Sequence, residues 1–498
     1  MRRLRSRGRL APAVVALCAV AGQATAVPPV PIPQDGTDAR PFIGRPATPR
    51  PVKTFRVPRH PFMAANGDSN IHNDAYMTDA YTRRGPLGRR MKVTSTFFSA
   101  DCASVAFDRK GRLVTICVGP EGPRLVLMRA RTLETLAIME LPPRSSSGTG
   151  TTPFNDFANG GYFYLDHRGR SVLPTNTRQV WIVDHKRLGP GDYTFEIVRR
   201  YDLVTEMQPN EGIVSVLPDW SGRIWFVTTR GLVGYIRPKS GAVRTMRLEN
   251  EVIANSFAVD ETGGVFIVSD HALYRFEVGR KAPRVIWRQR YDRGSRVKPG
   301  QVSQGSGTTP TLMARNYVAI TDNADPRMHV IVYRRGRKTG DERKVCSEAV
   351  FKRRRSATDN SLIAVGRSLI VESNYGYSGP DATSDGKTTY PGVARVSFTP
   401  KGSCRTRWVS DERAPTVVPK ASARTGLVYV YTKPRRADGE DPWYFTALSF
   451  RTGRTIYKRL AGEGLGFNNN YAPISIDSRG RAFVGVLGGL VQLRDRRD

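Results

Sequence analysis

The chain has 498 residues and a formal net charge of +34 at neutral pH, from 78 Lys and Arg against 44 Asp and Glu. This balance favours an anionic partner, although a solvated arginine-rich surface would give the same number. No helix-turn-helix, zinc-finger or RNP-type motif occurs, so the sequence argues against specific nucleic-acid recognition. No stretch after the N-terminus is long and apolar enough to cross a membrane.

The N-terminus has the features of a secretory signal peptide. Five arginines lie within Met1–Arg9, an apolar run covers Leu10–Gly22, and the small residues Ala24-Thr25-Ala26 follow. This pattern predicts a signal peptide over residues 1–26 and a secreted, extracellular mature protein. Removing the five arginines lowers the formal charge from +34 to +29.

Two segments without clear periodicity come next. Residues 27–60 are rich in proline and predict an extended linker that the fold can lose. Residues 61–90 predict an N-terminal loop segment packed against the body. It contains His72 and Tyr76, which we expect near one face of the fold, where His72 is a candidate acid or base.

The remainder, residues 91–498, contains a recurring hairpin signature, Asp-x-x-Gly-(Arg/Gly)-apolar. The five copies begin at Asp108, Asp166, Asp219, Asp260 and Asp477. Each predicts a tight turn in which Asp accepts a backbone hydrogen bond two residues on and Gly takes a conformation that other residues disfavour. Short β-branched and aromatic runs flank every copy, so this region is all-β.

Three weaker hairpins, near Ala314, Val365 and Arg424, fill the gap between the fourth and fifth copies. The eight turns then recur every 53 residues or so, a length that suits a four-stranded blade. We therefore predict an eight-bladed β-propeller over residues 91–498, with seven blades as the alternative. The last repeat lacks one strand, and the run Lys92–Ser99 is available to close the ring at that open edge.

Four cysteines remain after signal cleavage, an even number that predicts two disulfides in an exported chain. If Arg109 and Lys110 form a two-residue turn, Cys102 and Cys117 face each other across the first hairpin. By elimination Cys346 pairs with Cys404. Both precede the first strand of the next repeat, which places them on outer strands of adjacent blades.

The segments that precede each innermost strand gather on one face of a propeller, which we call the top face. These segments, and the ends of the second strands, are rich in carboxylates and amides. The candidate ligand-binding residues are Asn155, Asp156, Asn210, Glu211, Asn255, Asp322, Asn323, Asp359, Asn360, Glu372, Asn374 and Asn469. Polar turn residues serve backbone geometry equally often, so a purely structural role is the alternative.

The period, the eight repeats and the DxxGRxxV turns resemble the quinoprotein alcohol dehydrogenase-like propeller superfamily. In its enzymes that use pyrroloquinoline quinone (PQQ), the resemblance implies a cofactor held beside an adjacent-cysteine disulfide and a Ca²⁺ or lanthanide ion. This chain has no adjacent cysteines, so we expect no PQQ. Glu211, Asn255 and Asp322 are of the right types for Ca²⁺, but they do not match the family motif.

Two functions remain open. The first is a secreted propeller that binds an anionic polysaccharide, a cell-wall polymer or a protein through its polar top face. The second is a secreted carbohydrate-active enzyme, a glycoside hydrolase or polysaccharide lyase, with carboxylates as acid and base. For the enzyme, the candidate catalytic residues are His72, Glu211 and Asp322.

Overall fold

A computed structural model describes residues 26–34, 36–143, 161–313, 316–338 and 343–496. Eight sheets form a ring, each with four antiparallel strands, and one of these sheets carries two additional strands. The fold is therefore all-β and an eight-bladed propeller, as predicted. The predicted signal peptide, residues 1–26, lies outside the described residues apart from Ala26. Within the described ranges, we find no helix with the length and hydropathy of a membrane span.

The strands follow in chain order, four to a blade. Before blade 1 come β1 Phe42–Gly44, β2 Ala80–Tyr81 and β3 Lys92–Phe97. Blade 1 has β4 Asp101–Phe107, β5 Leu113–Gly119, β6 Gly122–Met128 and β7 Thr135–Glu140. Blade 2 has β8 Tyr164–Leu165, β9 Ser171–Pro174, β10 Gln179–Gly189 and β11 Asp192–Asp202. Blade 3 has β12 Ile213–Pro218, β13 Ile224–Thr228, β14 Leu232–Ile236 and β15 Val243–Arg247. Blade 4 has β16 Ala258–Val259, β17 Val265–Val268, β18 Ala272–Val278 and β19 Pro283–Arg290.

Blade 5 has β20 Thr311–Met313, β21 Tyr317–Thr321, β22 His329–Arg334 and β23 Lys344–Ala349. Blade 6 has β24 Ile363–Val365, β25 Ser368–Glu372, β26 Val393–Phe398 and β27 Cys404–Ser410. Blade 7 has β28 Lys420–Ser422, β29 Leu427–Thr432, β30 Pro442–Ser449 and β31 Thr455–Glu463, flanked by β2 on the inside and β1 on the outside. Blade 8 has β32 Ile474–Ile476, β33 Ala482–Val486 and β34 Gly489–Arg494.

The core lies between neighbouring blades. In blade 3 the three inner strands are buried along their whole length, whereas the outer strand β15 is only partly buried. Such sheets must be covered on both faces, and the adjacent blades supply that cover. The innermost strands run in the same direction, because parallel bridges join Tyr162 to Ser215 and Val418 to Pro473 at neighbouring blades. The top face is therefore a single surface.

The opposite surface, where the innermost hairpins turn, is called the turn face here. In all five signature copies the Asp carboxylate accepts N–H groups two and four residues on, at 2.8–3.0 Å. The following Gly has a φ of 71–87° in each copy. The predicted turn chemistry is confirmed. In four copies the next residue is an Arg that forms an ion pair with the signature Asp.

In blade 4 the guanidinium that pairs with the signature Asp comes from a residue distant in sequence. Its copy has Gly264 in place of Arg, and a Cβ there would lie 3.0 Å from the guanidinium carbon of Arg275. Arg335, in blade 5, donates to Asp260 at 2.7 Å. Both partners of this ion pair are almost fully buried. A guanidinium is thus retained at every signature Asp.

The ring closes at the predicted place. Strand β3 pairs antiparallel with β34, from Lys92 opposite Arg494 to Phe97 opposite Gly489. β3 is the outermost strand of blade 8, so the N-terminal part of the chain completes the last blade. This pairing satisfies the backbone groups that an open edge would expose.

Both predicted disulfides are present, Cys102–Cys117 and Cys346–Cys404. The second joins β23 and β27, the outer strands of blades 5 and 6. The predicted two-residue turn of the first hairpin is wrong, because three residues separate the paired Asp108 and Arg112. An irregularity in the pairing between Asp101 and Ser104 shifts the register by one and brings the cysteines together.

Residues 27–60 are extended, yet they are more than a spacer. Strand β1 pairs with β31, Val27 bridges to Thr135, and Ile32 is 3% exposed. This segment therefore contacts two blades and buries an apolar side chain, so we expect its removal to cost stability. A few small or β-branched residues suffice, because the outer edges of the blades supply the apolar partners and free backbone groups.

Candidate functional site: an axial cavity and a cationic groove

Residues 61–83, called the channel segment here, run through the axis of the ring. Its backbone carbonyls accept N–H groups from the innermost strands of six blades. The acceptors are Asp68, Ser69, Ala75, Tyr76, Thr78 and Asp79, which bind blades 1, 2, 4, 5, 6 and 7 respectively. The hydroxyl of Tyr81 accepts an N–H from blade 8. These bonds satisfy innermost-strand donors that would otherwise be buried without a partner.

Blade 3 is the exception, for a reason visible in its sequence. The residue before its signature Asp is Pro218, which has no N–H to donate. There the imidazole of His60, the residue just before the channel segment, packs against the indole of Trp220 instead, with ring centroids 4.1 Å apart. Since these contacts lie at the hairpin turns, the segment fills the channel from the turn face.

This placement corrects the expectation for His72 and Tyr76. His72 is 1% exposed and Tyr76 is 3% exposed, so both lie inside the ring and not over the top face. The Tyr76 hydroxyl donates to Glu261 and accepts from Arg335 at 2.9 Å. Tyr76 is therefore held in an ionic cluster of blades 4 and 5, away from His72.

His72 is held by a buried ion pair. Its Nδ1 lies 3.0 Å from a carboxylate oxygen of Asp79. Lys420 pairs with the same carboxylate and donates to the carbonyl of Ile71 at 2.6 Å. Burial lowers the pKa of Lys420, and Asp79 opposes that shift. Because a carboxylate oxygen accepts, Nδ1 donates to it, and a neutral imidazole in this arrangement has its lone pair on Nε2.

The Nε2 side of His72 belongs to a small cavity on the axis. The cavity has a volume of about 40 Å³, room for about one to three water molecules. Its lining includes Tyr162, Asn255, Asp359 and Asn360 from three different blades or their approach segments. Within the described part of the chain, neither His72 Nε2 nor Asn360 Oδ1 has a hydrogen-bond partner.

Asp359 is the carboxyl group of this cavity. One of its oxygens accepts the Val302 N–H at 3.1 Å, while the other is buried and has no partner among the described residues. Burial raises its pKa to about 8. Asp359 is thus a neutral acid at pH 7, and a possible proton donor to whatever occupies the cavity.

The neighbouring amides form a rigid frame. Asn360 donates to Glu372 at 2.6 Å, and Asn374 donates to the other oxygen of Glu372 at 3.0 Å. Asn374 also accepts the N–H of Asp359 at 2.6 Å. Burial raises the pKa of Glu372, and the two amides oppose that shift. Four predicted residues therefore form one network in blade 6.

Other predicted residues lie apart from the cavity. Glu211 makes two contacts of 3.0 Å with Arg247, and Asp322 lies 2.8 Å from the imidazole of His329. The hydrogen bond that His329 donates to Asp322 raises the pKa of His329. These candidate catalytic carboxylates thus have partners of their own and do not line the cavity that contains His72.

The remaining amides hold loops. Asn323 donates to the carbonyls of Arg293 and Arg296, and Asn469 to those of Ala472 and Gly485. Asn210 is exposed in a turn with a φ of 57°. Asn155 and Asp156 lie outside the described residues.

The residues suggested for Ca²⁺ do not meet. Glu211, Asn255 and Asp322 belong to three consecutive blades, and the first and third are engaged as described. In the ranges that the structure covers, no group of three or more His, Cys, Asp and Glu side chains could hold a metal ion. The disulfides join cysteines 15 and 58 residues apart, so the chain lacks the adjacent-cysteine pair associated with PQQ.

A large groove lies on the turn face, where blades 8 and 1 meet. It has a volume of about 1420 Å³, and twelve of its nineteen lining residues are Arg or Lys. They come from five segments of the chain: 84–92, 109–112, 129–131, 479–481 and 494–496. We call this surface the cationic groove.

Among the residues that the structure describes, few of these cations form an ion pair. Ion pairs within the described chain engage three of the twelve cations, Arg112, Arg129 and Arg481. Asp495, the sole acidic residue of the lining, accepts N–H groups from Leu87, Gly88 and Arg89. Sequence reasoning missed the groove, because no single run of basic residues forms it. A signal was available in the arginines at the hairpin tips and near the C-terminus.

No family model matches the chain. An uncharacterized protein of Archaeoglobus fulgidus is 26% identical over 321 residues, 58% of this chain and 62% of that protein, so the match spans less than two thirds of its length. A streptogramin B lyase structure shares 10% identity at a TM-score of 0.40, over 81% of this chain and 97% of that one. The WD40 domain of SCAP from fission yeast shares 10% at a TM-score of 0.45, over 81% and 98%. The assignment to the β-propellers stands on the eight sheets of the chain itself.

Proposed function

We propose that this protein is an exported propeller that binds an anionic polysaccharide or cell-wall polymer in the cationic groove. The supporting observation is the lining, in which twelve of nineteen residues are Arg or Lys. A polyanion releases counterions when it meets such a surface, and this release drives binding. The groove is on the turn face, opposite the top face that the sequence suggested.

The chemistry of the lining favours phosphate or carboxylate groups. Ten of the twelve cations are arginines, whose planar guanidinium binds both groups through paired hydrogen bonds. Specific base recognition is not part of the proposal, since no base-reading motif was found. Export is proposed from the signal-like N-terminus and is compatible with the two disulfides. Membership of the quinoprotein-like superfamily also remains a proposal, supported by the eight blades.

The enzymatic alternative has weaker support. It retains His72, whose Nε2 lone pair is oriented by Asp79. However, the cavity beside His72, at about 40 Å³, is too small for a sugar ring. Glu211 and Asp322, the other two candidate catalytic residues, are held by Arg247 and His329.

The test measures binding by titration calorimetry with inorganic polyphosphate, a polyuronate and neutral dextran as probes. In the groove variant, Arg131, Arg494 and Arg496 are replaced by Ala. The control variant removes the same charge from the top face at Arg296, Arg353 and Arg354, which line a separate pocket. We expect wild type and control to bind at least one polyanion but not dextran.

We expect the groove variant to bind at least 10-fold more weakly. The slope of log affinity against log salt should become less steep by about 2. Each of the three lost contacts contributes roughly 0.7 to the magnitude of this slope. Equal weakening in the two variants would show that general charge, and not the groove, binds the polymer. Whether polyphosphate or the polyuronate binds more tightly will identify the preferred anionic group.

A further inference from the structure

The strand pairing that closes the ring ends with two residues of like charge opposite each other. In the β3–β34 ladder, Lys92 lies directly opposite Arg494. Like charges in such cross-strand pairs destabilise the sheet. Both side chains also line the cationic groove.

Arg494 is the centre of this repulsion. Burial lowers its pKa, and the nearby guanidinium groups of Arg131, Arg481 and Arg496 lower it further. Its Nε is buried and has no hydrogen-bond partner in the part of the chain that the structure describes. Of the three neighbours, Arg481 pairs with Asp477. We call Lys92, Arg131, Arg494 and Arg496 the seam cluster.

Fixed backbone contacts keep these charges from separating. Lys92 and Arg494 are the first and last residues of paired strands, while Arg131 is in the β6–β7 turn of blade 1. Gln492 donates from β34 to the carbonyl of Arg131 at 3.2 Å, which ties blade 8 to blade 1. The backbone therefore holds the four cationic residues near one another, and an anion bound between them would reduce their repulsion.

We propose that closely spaced oxyanion groups of the bound polymer are held by the seam cluster, so that ligand binding and closure of the propeller ring are coupled. This inference rests on the proposed function and adds to it: the bound polymer also stabilises the pairing of β3 with β34 in blade 8. A ligand that binds only the closed ring must stabilise it, and closure must in turn raise affinity. The ligand chemistry required is a chain of phosphate or sulfate groups.

The coupling predicts where protection should increase. Strands β3 and β34 form the pairing that closes the ring, and each has one end in the groove, at Lys92 and at Arg494. Amides of β3 and β34 should therefore gain more protection on ligand binding than strands remote from the groove. Strand β17, in blade 4, serves as the internal reference.

The experiment is hydrogen–deuterium exchange on the full mature chain, with and without inorganic polyphosphate at matched ionic strength. We expect amides of β3 and β34 to exchange at least 10-fold more slowly with polyphosphate, and those of β17 to change less than 2-fold. In Lys92→Glu the new carboxylate pairs with Arg494. In this variant the amides of β3 and β34 should be protected from exchange without ligand. The further slowing of their exchange on adding polyphosphate should fall below 3-fold. The matched control is Lys281→Glu, an exposed position in the β18–β19 turn.

The outcomes separate the two proposals. If calorimetry shows that polyphosphate binds in the groove while seam exchange is unchanged, or slows equally in β17, the coupling is wrong and the proposed function stands. If neither polyphosphate nor the polyuronate binds, both proposals fail. A Lys281→Glu protein that behaves like Lys92→Glu would also overturn the coupling, because the effect would then follow net charge and not the seam.

Discussion

Replacing Lys420 by Met tests how firmly the channel segment is anchored. Lys420 and Asp79 are both fully buried and paired, and His72 shares the carboxylate. Removing one partner of a buried ion pair typically costs about 3–5 kcal/mol, because the other charge is left without compensation. We expect a loss near the lower end, about 3 kcal/mol, since the imidazole of His72 still makes a hydrogen bond to the same carboxylate.

Such a loss is a large part of the roughly 5–15 kcal/mol that stabilises a typical domain. The assay is equilibrium unfolding in urea, with Asp79→Asn/Lys420→Met as the second variant. The double variant removes both charges and should recover at least half of the loss. The control is Lys186→Met, which breaks an exposed pair with Glu196 and should leave the free energy of unfolding close to that of wild type. A Lys420→Met protein within 1 kcal/mol of wild type would refute the reasoning.

Three further predictions concern the cavity, His60 and the N-terminal segments. Since burial raises the pKa of Asp359 to about 8, the folded state holds a proton that the unfolded state loses near pH 4, and stability falls as pH rises from 4 to 8. Asp359→Asn should reduce this fall, and equal pH dependence of the melting temperatures in both proteins would contradict it. Burial lowers the pKa of His60 to about 3, so the unfolded state binds the extra proton and stability falls by about 1.4 kcal/mol per pH unit from 6.5 towards 3. Urea unfolding of His60→Phe at pH 5 and 7 should show a smaller difference than wild type, whereas His271→Gln, at a partly exposed position, should not. Deleting residues 27–60 should lower the melting temperature through loss of β1 and Ile32, whereas deleting 27–99 also removes β3 and should abolish cooperative unfolding, which calorimetry would detect.

The architecture could be predicted because its signals are local. Each signature turn needs Asp and Gly three residues apart, and that requirement is written in consecutive residues such as Asp108 to Gly111. The repeat then gives the blade count, and the missing strand of the last repeat points to Lys92–Ser99. Even the error in the first disulfide was local, since a three-residue turn and an irregularity in pairing offset each other.

The candidate site could be predicted only in part. Asn255, Asp359 and Asn360 do line one cavity with His72, because approach segments converge on the axis of any propeller. The ion pair of Glu211 with Arg247 was not foreseen, since nothing in the sequence shows that two residues 36 positions apart will meet. The path of the channel segment was equally hidden. Its contacts use backbone carbonyls, which every residue possesses, so side-chain patterns carry no trace of it.

The cationic groove and the ring closure depend on one continuous stretch of chain. The channel segment ends at Arg83, the groove begins with Arg84 and Arg89, and β3 starts at Lys92. The carboxylate of Asp495, just after β34, accepts the N–H groups of residues 87–89 and fixes this stretch against the end of blade 8. A ligand in the groove would therefore contact the residues that connect the channel segment to β3. Mutations that loosen either element should weaken binding without removing a single ligand contact.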